Sequence, residues 1–351
     1  MNKEIPVLIT GGSGYLASWI VKKFLEDGYT VHTSVRNLDD ESKIVHLKKL
    51  SIENENRLKL FQADLLEENS FAEAMQGCEI VIHTASPFFI DHIKDPLNEL
   101  INPAVNGTKN VLNTVNQTES VKRVVLTSSV AAIYGDAKDV KNTENNIFTE
   151  EYWNITSSVK HNPYPYSKTL AEKTAWEMEK AQNRWTMSVI NPGFIMGPSL
   201  TSRNDSTSIG FLIKLVDGTF SIGVPDLFFG VVDVRDVAEA HYQAAKIKVQ
   251  ERHILVADTI AVIDFCHILS DKFDGEYKFP RRTLPNWLLY IFGPLQGVTA
   301  KFVKNNMGVP MYFNNSKSKK NLKIKYRPIN ETLVDHFQQL INDQLISVKG
   351  K

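Results

Sequence analysis

The sequence predicts an α/β protein, a doubly wound parallel sheet with a smaller C-terminal cap. Three observations carry that expectation. The apolar run Pro6-Val7-Leu8-Ile9-Thr10 breaks into a glycine loop, Gly11-Gly12-Ser13-Gly14, which opens an amphipathic run from Tyr15 to Asp27. Strand and helix patterns then alternate through the first half of the chain, as parallel strands joined by right-handed crossovers require. Beyond Pro198 the alternation fades among loops rich in Ser, Thr and Asn and proline-containing segments at Val224-Pro225 and Lys278-Phe279-Pro280.

The first helix should stop near Gly28, and residues 30–35 read as the second strand. A polar helix over 41–50, a strand over 58–63 and a short helix ending near Gly77 follow. Residues 80–84 and 124–128 read as the fourth and fifth strands, with a long helical stretch over 97–117 between them. A later helix over 164–182 leads into a strand over 187–190. The sheet domain is expected over 1–197 and the cap mainly over 198–351, with a helix-like run at 234–248 returning to the sheet. No internal repeat is visible.

Bulk properties exclude several classes. Of 351 residues, 42% are hydrophobic and 23% charged, enough for one large domain and a smaller one. Forty basic residues balance forty acidic ones, which speaks against a nucleic-acid-binding or polybasic membrane surface. Cys78 and Cys266 fit no metal-site spacing and are expected to be free, buried thiols in a reducing, cytoplasmic compartment. Met1-Asn2-Lys3-Glu4 runs straight into the first strand, leaving no room for a signal peptide. The most apolar run, Trp287-Leu288-Leu289-Tyr290-Ile291-Phe292, is too short to span a bilayer; a core helix is the better reading, with a peripheral membrane or partner contact the lesser one.

A strand, glycine turn and helix start in that order is a pyrophosphate site. The glycines admit the phosphates close to the backbone, and the free N–H groups and dipole of the helix start attract them. Gly11, Ser13, Gly14, Tyr15 and Leu16 are the candidate contacts. After the second strand the chain reads Ser34-Val35-Arg36-Asn37, with Lys43 one or two helical turns on. An arginine there suits a ribose 2′-phosphate, where a carboxylate would bind a free 2′-hydroxyl. NADP(H) is therefore expected rather than NAD. Asp64 with Leu65 should meet the adenine, and Thr84-Ala85-Ser86 lies where the ligand crevice opens.

Hydride reduction of a carbonyl needs an acid for the forming alkoxide. A tyrosine serves if a nearby cation lowers its pKa from about 10. A lysine four residues on along a helix shares its face. Three pairs have that spacing: Tyr134/Lys138, Tyr164/Lys168 and Tyr242/Lys246. Tyr134 sits in a Gly-Asp turn, and Tyr242 is far in sequence from the fifth strand. Tyr164 opens a good helix after Asn162-Pro163, and Thr127-Ser128-Ser129 supplies hydroxyls at the fifth strand's end. Tyr164 and Lys168, also candidate cofactor contacts, are therefore preferred.

Together these motifs resemble the extended short-chain dehydrogenase/reductase family, in its dihydroflavonol-reductase-like branch. The residues that carry the resemblance begin with Thr10-Gly11-Gly12-Ser13-Gly14-Tyr15-Leu16-Ala17, Val35-Arg36-Asn37 with Lys43, and Ala63-Asp64-Leu65. They continue with His83-Thr84-Ala85-Ser86-Pro87, Asn106-Gly107-Thr108, Leu126-Thr127-Ser128-Ser129, Tyr164-Pro165-Tyr166-Ser167-Lys168 and Asn191-Pro192-Gly193. The resemblance implies a Rossmann-type sheet and NADPH-dependent reduction of an aldehyde or ketone. It implies Tyr164 as proton donor, Lys168 as the residue that lowers its pKa and holds the nicotinamide ribose, and Ser129, with Ser128 the alternative, as the carbonyl-binding hydroxyl. It implies Thr127, Pro192 and Gly193 beside the cofactor. Ala17 stands where a third glycine is usual, and Tyr134 where flavonoid reductases carry a substrate-reading asparagine. A small-molecule carbonyl substrate, no nucleic acid, no membrane span and a monomer or homodimer complete the expectation. A nucleotide-sugar epimerase, a 3β-hydroxysteroid-type dehydrogenase and a non-catalytic NADP sensor are the alternatives on the same scaffold.

Overall fold

A computed structural model describes residues 2–86 and 93–347 of the chain. Pro87, part of the fourth strand's motif, lies outside the described residues. The strands in chain order are β1 (Val7–Thr10), β2 (Val31–Val35), β3 (Leu58–Gln62), β4 (Ile80–His83), β5 (Arg123–Thr127) and β6 (Ile147–Phe148). Then come β7 (Thr186–Pro192), β8 (Phe194–Met196), β9 (Phe228–Asp233), β10 (Arg252–Leu255), β11 (Asp258–Ala261) and β12 (Tyr312–Phe313). The helices are α1 (Tyr15–Glu26), α2 (Glu41–Glu53), α3 (Ala72–Met75), α4 (Asn102–Gln117), α5 (Pro163–Lys180) and α6 (Thr207–Val216). The second half adds α7 (Val234–Lys246), α8 (Val262–Phe273), α9 (Asn286–Phe292), α10 (Ala300–Asn306), α11 (Ser316–Asn321) and α12 (Ile329–Asn342).

Seven parallel strands form the main sheet in the order β10-β7-β5-β4-β1-β2-β3. Its strands are nearly all buried, because helices cover both faces. Phe24 of α1 and Tyr242 of α7 meet edge to face on one side, with ring centroids 5.1 Å apart. On the other side, Val111 and Leu112 of α4 and Ala175 of α5 pack with Trp185. The chain moves from β1 to β3 in one direction and then returns to place β4 on the other side of β1. That reversal opens a crevice at the carboxyl ends of β1 and β4, where such sheets bind ligands.

The C-terminal half supplies its own core. The small sheet β11-β9-β8 packs with α6, α8 and α12 through Met196, Leu212, Phe265 and Phe337. It is latched to the main sheet close to the glycine loop. Tyr15 Oη donates to the Gly197 carbonyl at 2.5 Å, Trp19 Nε1 to the Pro198 carbonyl at 2.8 Å, and the Gly197 amide to His336 Nδ1 at 3.1 Å. Both α7 and β10 lie in the main sheet's layers, although they follow residue 198 in the chain.

One expectation is overturned here. The run at 287–292 does form a helix, α9, but none of its residues is buried. Trp287, Tyr290, Ile291 and Phe292 face solvent. Apolar composition specified the helix and not its place, since no neighbouring element supplies a groove for it.

Candidate active site

The glycine loop is built by close approach. A Cβ on Gly12 would stand 2.1 Å from Thr33 Oγ1 of β2, and Gly11 takes φ +71°, which side chains resist. The Gly12 amide donates to the Ser34 carbonyl at 2.9 Å and the Gly11 amide to Ser34 Oγ at 3.0 Å, so β2 fixes the loop. Gly14 caps α1 with no side-chain acceptor, and the first turn has no acid. The amides of Tyr15 and Leu16 therefore open onto the crevice with their positive dipole end, as an anion requires. The Tyr15 phenol is committed elsewhere, to Gly197, so only its backbone is available for this role.

The other candidate cofactor residues rim the same edge. Arg36 is exposed just past β2. Lys43 lies one turn into α2 and pairs with Asp40 at 3.1 Å, both at the surface. Asp64 follows β3, and its Oδ1 accepts from the Leu66 amide at 2.8 Å. Leu65 is buried against Gly107, and its carbonyl accepts from Asn110 Nδ2 at 2.8 Å. At the end of β4 the Thr84 hydroxyl donates to the Thr10 carbonyl, and Ala85 closes over Gly11. Gly193 follows β7 and Pro192; a Cβ there would overlap the Gly230 carbonyl at 2.1 Å. Thr127 ends β5, and its Oγ1 is bonded to His241 Nε2 of α7 at 2.7 Å.

The reacting-group candidates converge at the ends of β5 and β4. Helix α5 is capped by Asn162, a left-handed residue with φ +54° whose Nδ2 donates to the Gly135 carbonyl at 2.7 Å and to Asp136 Oδ1 at 3.0 Å. Pro163 then fixes the first helical turn and sets Tyr164 at the helix start. The Ser129 hydroxyl acts on the Tyr164 phenol in the direction that favours its ionised form. Lys168 Nζ stands 5.9 Å from the Tyr164 ring centroid and donates to Ser86 Oγ at 3.1 Å. Burial pushes the Tyr164 phenol up to about 12, with Ser129 acting against it. Burial also lowers Lys168 to about 8, opposed by the Glu172 carboxylate.

Ser128 and Ser129 differ sharply. Ser128 Oγ donates to Glu172 Oε2, while Ser129 Oγ accepts the Ala131 amide at 3.1 Å and meets Tyr164. Ser128 is therefore turned into a buried network. There Glu172 also accepts Asn191 Nδ2 at 2.8 Å and Arg252 Nε at 2.6 Å. The sequence reading missed Glu172, although its position four residues beyond Lys168 puts it on the same helix face. It also missed Arg203, whose Nη1 donates to the Ser13 carbonyl at 3.1 Å across the glycine loop. Nearby His46 of α2 is buried with both ring nitrogens unpaired, and burial followed by the Arg203 charge lowers it to about 4. No local pattern announces Arg203, because its place depends on a loop folding back over 190 residues.

The other two tyrosine–lysine pairs are engaged differently. Tyr134 follows a 3₁₀ turn and stacks on Phe148 with ring centroids 5.0 Å apart. Tyr242 and Lys246 do share a face of α7, but against α1, where the phenol donates to Asp27. Among the described residues no group of His, Cys, Asp and Glu is arranged to hold a metal ion, and both cysteines are free and buried.

With this geometry in place, similarity to known proteins decides the family. The NAD dependent epimerase/dehydratase family matches residues 7–257. The chain belongs to that family. It is 38% identical over 338 residues to the cinnamoyl-CoA reductase CAD2 of Medicago truncatula, covering 95% of each chain. It is 34% identical over 294 residues to the dihydroflavonol 4-reductase of Gerbera hybrida, covering 80% of this chain and 77% of that one. Among solved structures, yeast methylglyoxal/isovaleraldehyde reductase Gre2 complexed with NADPH superposes with a TM-score of 0.75 at 29% identity, covering 97% of this chain and 100% of that one. The protein is thus an oxidoreductase of the extended short-chain family, in its dihydroflavonol-reductase-like branch. Among the described residues, no helix is long and apolar enough to cross a membrane.

Proposed function

We propose that this protein reduces an aldehyde or ketone to the alcohol with NADPH, Tyr164 giving its proton to the carbonyl oxygen. The observation that carries the reading is the cluster of Ser129, Tyr164 and Lys168 beside the crevice that the glycine loop opens. NADPH supplies the hydride when bound. The uncapped start of α1 suits its pyrophosphate, and Arg36 and Lys43 suit its 2′-phosphate. Arg203 adds a cation over the same loop, and the orphaned His46 imidazole beside it is one more buried donor awaiting an anionic or polar partner.

Within this reading each side chain has a distinct task. Ser129 orients the substrate oxygen and the phenol. Tyr164, held protonated by burial at neutral pH, is in the donor form that reduction needs. Lys168, charged below about pH 8, favours the phenolate left after proton transfer and holds the nicotinamide ribose. Asp64, Thr84, Ala85, Pro192 and Gly193 contribute walls and backbone groups along the cofactor. A cytoplasmic location belongs to the same reading, carried by the two unpaired thiols.

The relatives named above act on different carbonyl compounds, so the test spans classes. NADPH consumption is measured against aldehydes, diketones and aryl ketones, with Tyr164→Phe alongside. Turnover that collapses in the variant while NADPH still binds is the expected result. Tight NADPH binding with no turnover on any carbonyl would overturn the reading in favour of epimerase or sensor chemistry.

A further inference from the structure

The overturned burial of α9 coincides with an uneven stretch of charge. Helix α9 leaves its large apolar side chains in water: Trp287 is 59% exposed, Ile291 59%, Phe292 57% and Tyr290 44%. Single exposed apolar residues are ordinary, but a contiguous group marks a contact surface. The overall charge balance also conceals an asymmetry. Residues 278–330 contain eleven Lys and Arg and no Asp or Glu, within a chain that is neutral as a whole.

Helix α9 lies inside that acid-free stretch. Lys278, Arg281 and Arg282 precede it, and Lys301 and Lys304 follow on α10, which packs against α9. All five are exposed. Arg281 reaches Asp274 at 3.8 Å with both side chains mostly in water, and the other four make no ion pair among the described residues. Indole and phenol rings favour the headgroup level of a bilayer, aliphatic side chains the acyl boundary beneath, and flanking cations the negative surface potential. A second copy of the chain fits less well, because a two-fold contact through this face would set its cations against each other.

We propose that α9 with its cationic flanks is a docking surface for an anionic lipid bilayer. The attachment is peripheral: α9 has seven residues, far short of a membrane span. The face is joined to the candidate active site through α10, whose Asn305 and Asn306 donate to Asp136 at 2.9 Å, the carboxylate that also holds Asn162 at the start of α5.

The test is sedimentation of the full chain with phosphatidylcholine vesicles, with and without phosphatidylserine. Binding to the anionic vesicles alone, released by salt, is the expected result. Lys301→Gln combined with Lys304→Gln should weaken that binding about tenfold. Trp287→Ser combined with Ile291→Ser should weaken it about tenfold or more. Because these side chains are exposed, the melting temperature should stay unchanged in both variants, which separates lost docking from lost folding. Absence of binding to either vesicle would overturn the proposal, as would equal binding to both that neither variant alters. A dimer seen by analytical ultracentrifugation and abolished by the Trp287 variant would also overturn it and assign the face to a second copy.

Discussion

Helices α5 and α7 each place a tyrosine four residues before a lysine on one face, yet the two pairs live in opposite electrostatic settings. Tyr164 meets a neutral serine hydroxyl, and its lysine turns to Ser86 at the ligand crevice. Tyr242 donates to the Asp27 carboxylate and lies among Phe24 and Tyr29 rings. Burial raises both phenols, but Asp27 raises Tyr242 further, whereas Ser129 acts downward on Tyr164. A carboxylate beside a phenol opposes loss of its proton, so Tyr242 is a poor proton donor to anything else. The spacing guarantees a shared face. What the face meets decides whether the pair can do chemistry.

The largest expected difference between the two helices follows directly. Tyr164→Phe should lower kcat for carbonyl reduction by about 10²–10⁴ with NADPH affinity retained, as loss of a general acid does. Steady-state kinetics beside cofactor-fluorescence titration checks both halves. An unchanged kcat would remove α5 from the chemistry.

The cofactor preference gives the next effect. Arg36 is exposed at the end of β2, where a 2′-phosphate would give it a charge-assisted partner. Arg36→Asp should lower the NADPH-to-NADH ratio of kcat/KM by about one to two orders of magnitude. If the ratio holds, the cationic end of β2 does not read the phosphate. Arg203 is the natural comparison: it touches Ser13 in the glycine loop, where a shared pyrophosphate would sit.

These examples show what was legible in the chain. The alternating strands and the glycine loop follow from local signals, β-branched runs and closely spaced glycines, and the start of α5 from the proline at 163. The buried Glu172 network was not legible, because Asn191 and Arg252 reach it from strands β7 and β10, far along the chain. Nor was the exposure of α9, since burial depends on which elements arrive beside a helix and not on its composition. The bond between Thr127 and His241 was not legible for the same reason, as His241 comes from beyond residue 198.

Glu172 sharpens the comparison, since it ties Lys168 to a buried network that reaches β7 and β10. Its carboxylate holds Lys168 above the value that burial alone would impose. Below about pH 8 Lys168 carries its charge, so reductase activity should be flat there and fall as the pH rises further. Removing the carboxylate in Glu172→Gln lowers the Lys168 pKa, so the alkaline limb should move to lower pH. The same change leaves Arg252 buried without its anion, at a cost of about 3–5 kcal/mol seen in denaturant unfolding. A purely structural role would give the second effect without the first.

The smallest effect belongs to the decoy pair. Tyr242→Phe keeps the ring that packs edge to face on Phe24 and removes only the hydroxyl donated to Asp27. Asp27 is 41% exposed on its side chain, so water can replace the lost donor. The expected loss is about 1 kcal/mol of stability by denaturant titration. Turnover should match the parent protein, because the phenol faces α1 on the covered side of the sheet. A drop in kcat of the size expected for Tyr164→Phe would mean that α7, and not α5, presents the acid. The helices would then have to exchange roles, despite the carboxylate that holds the Tyr242 proton.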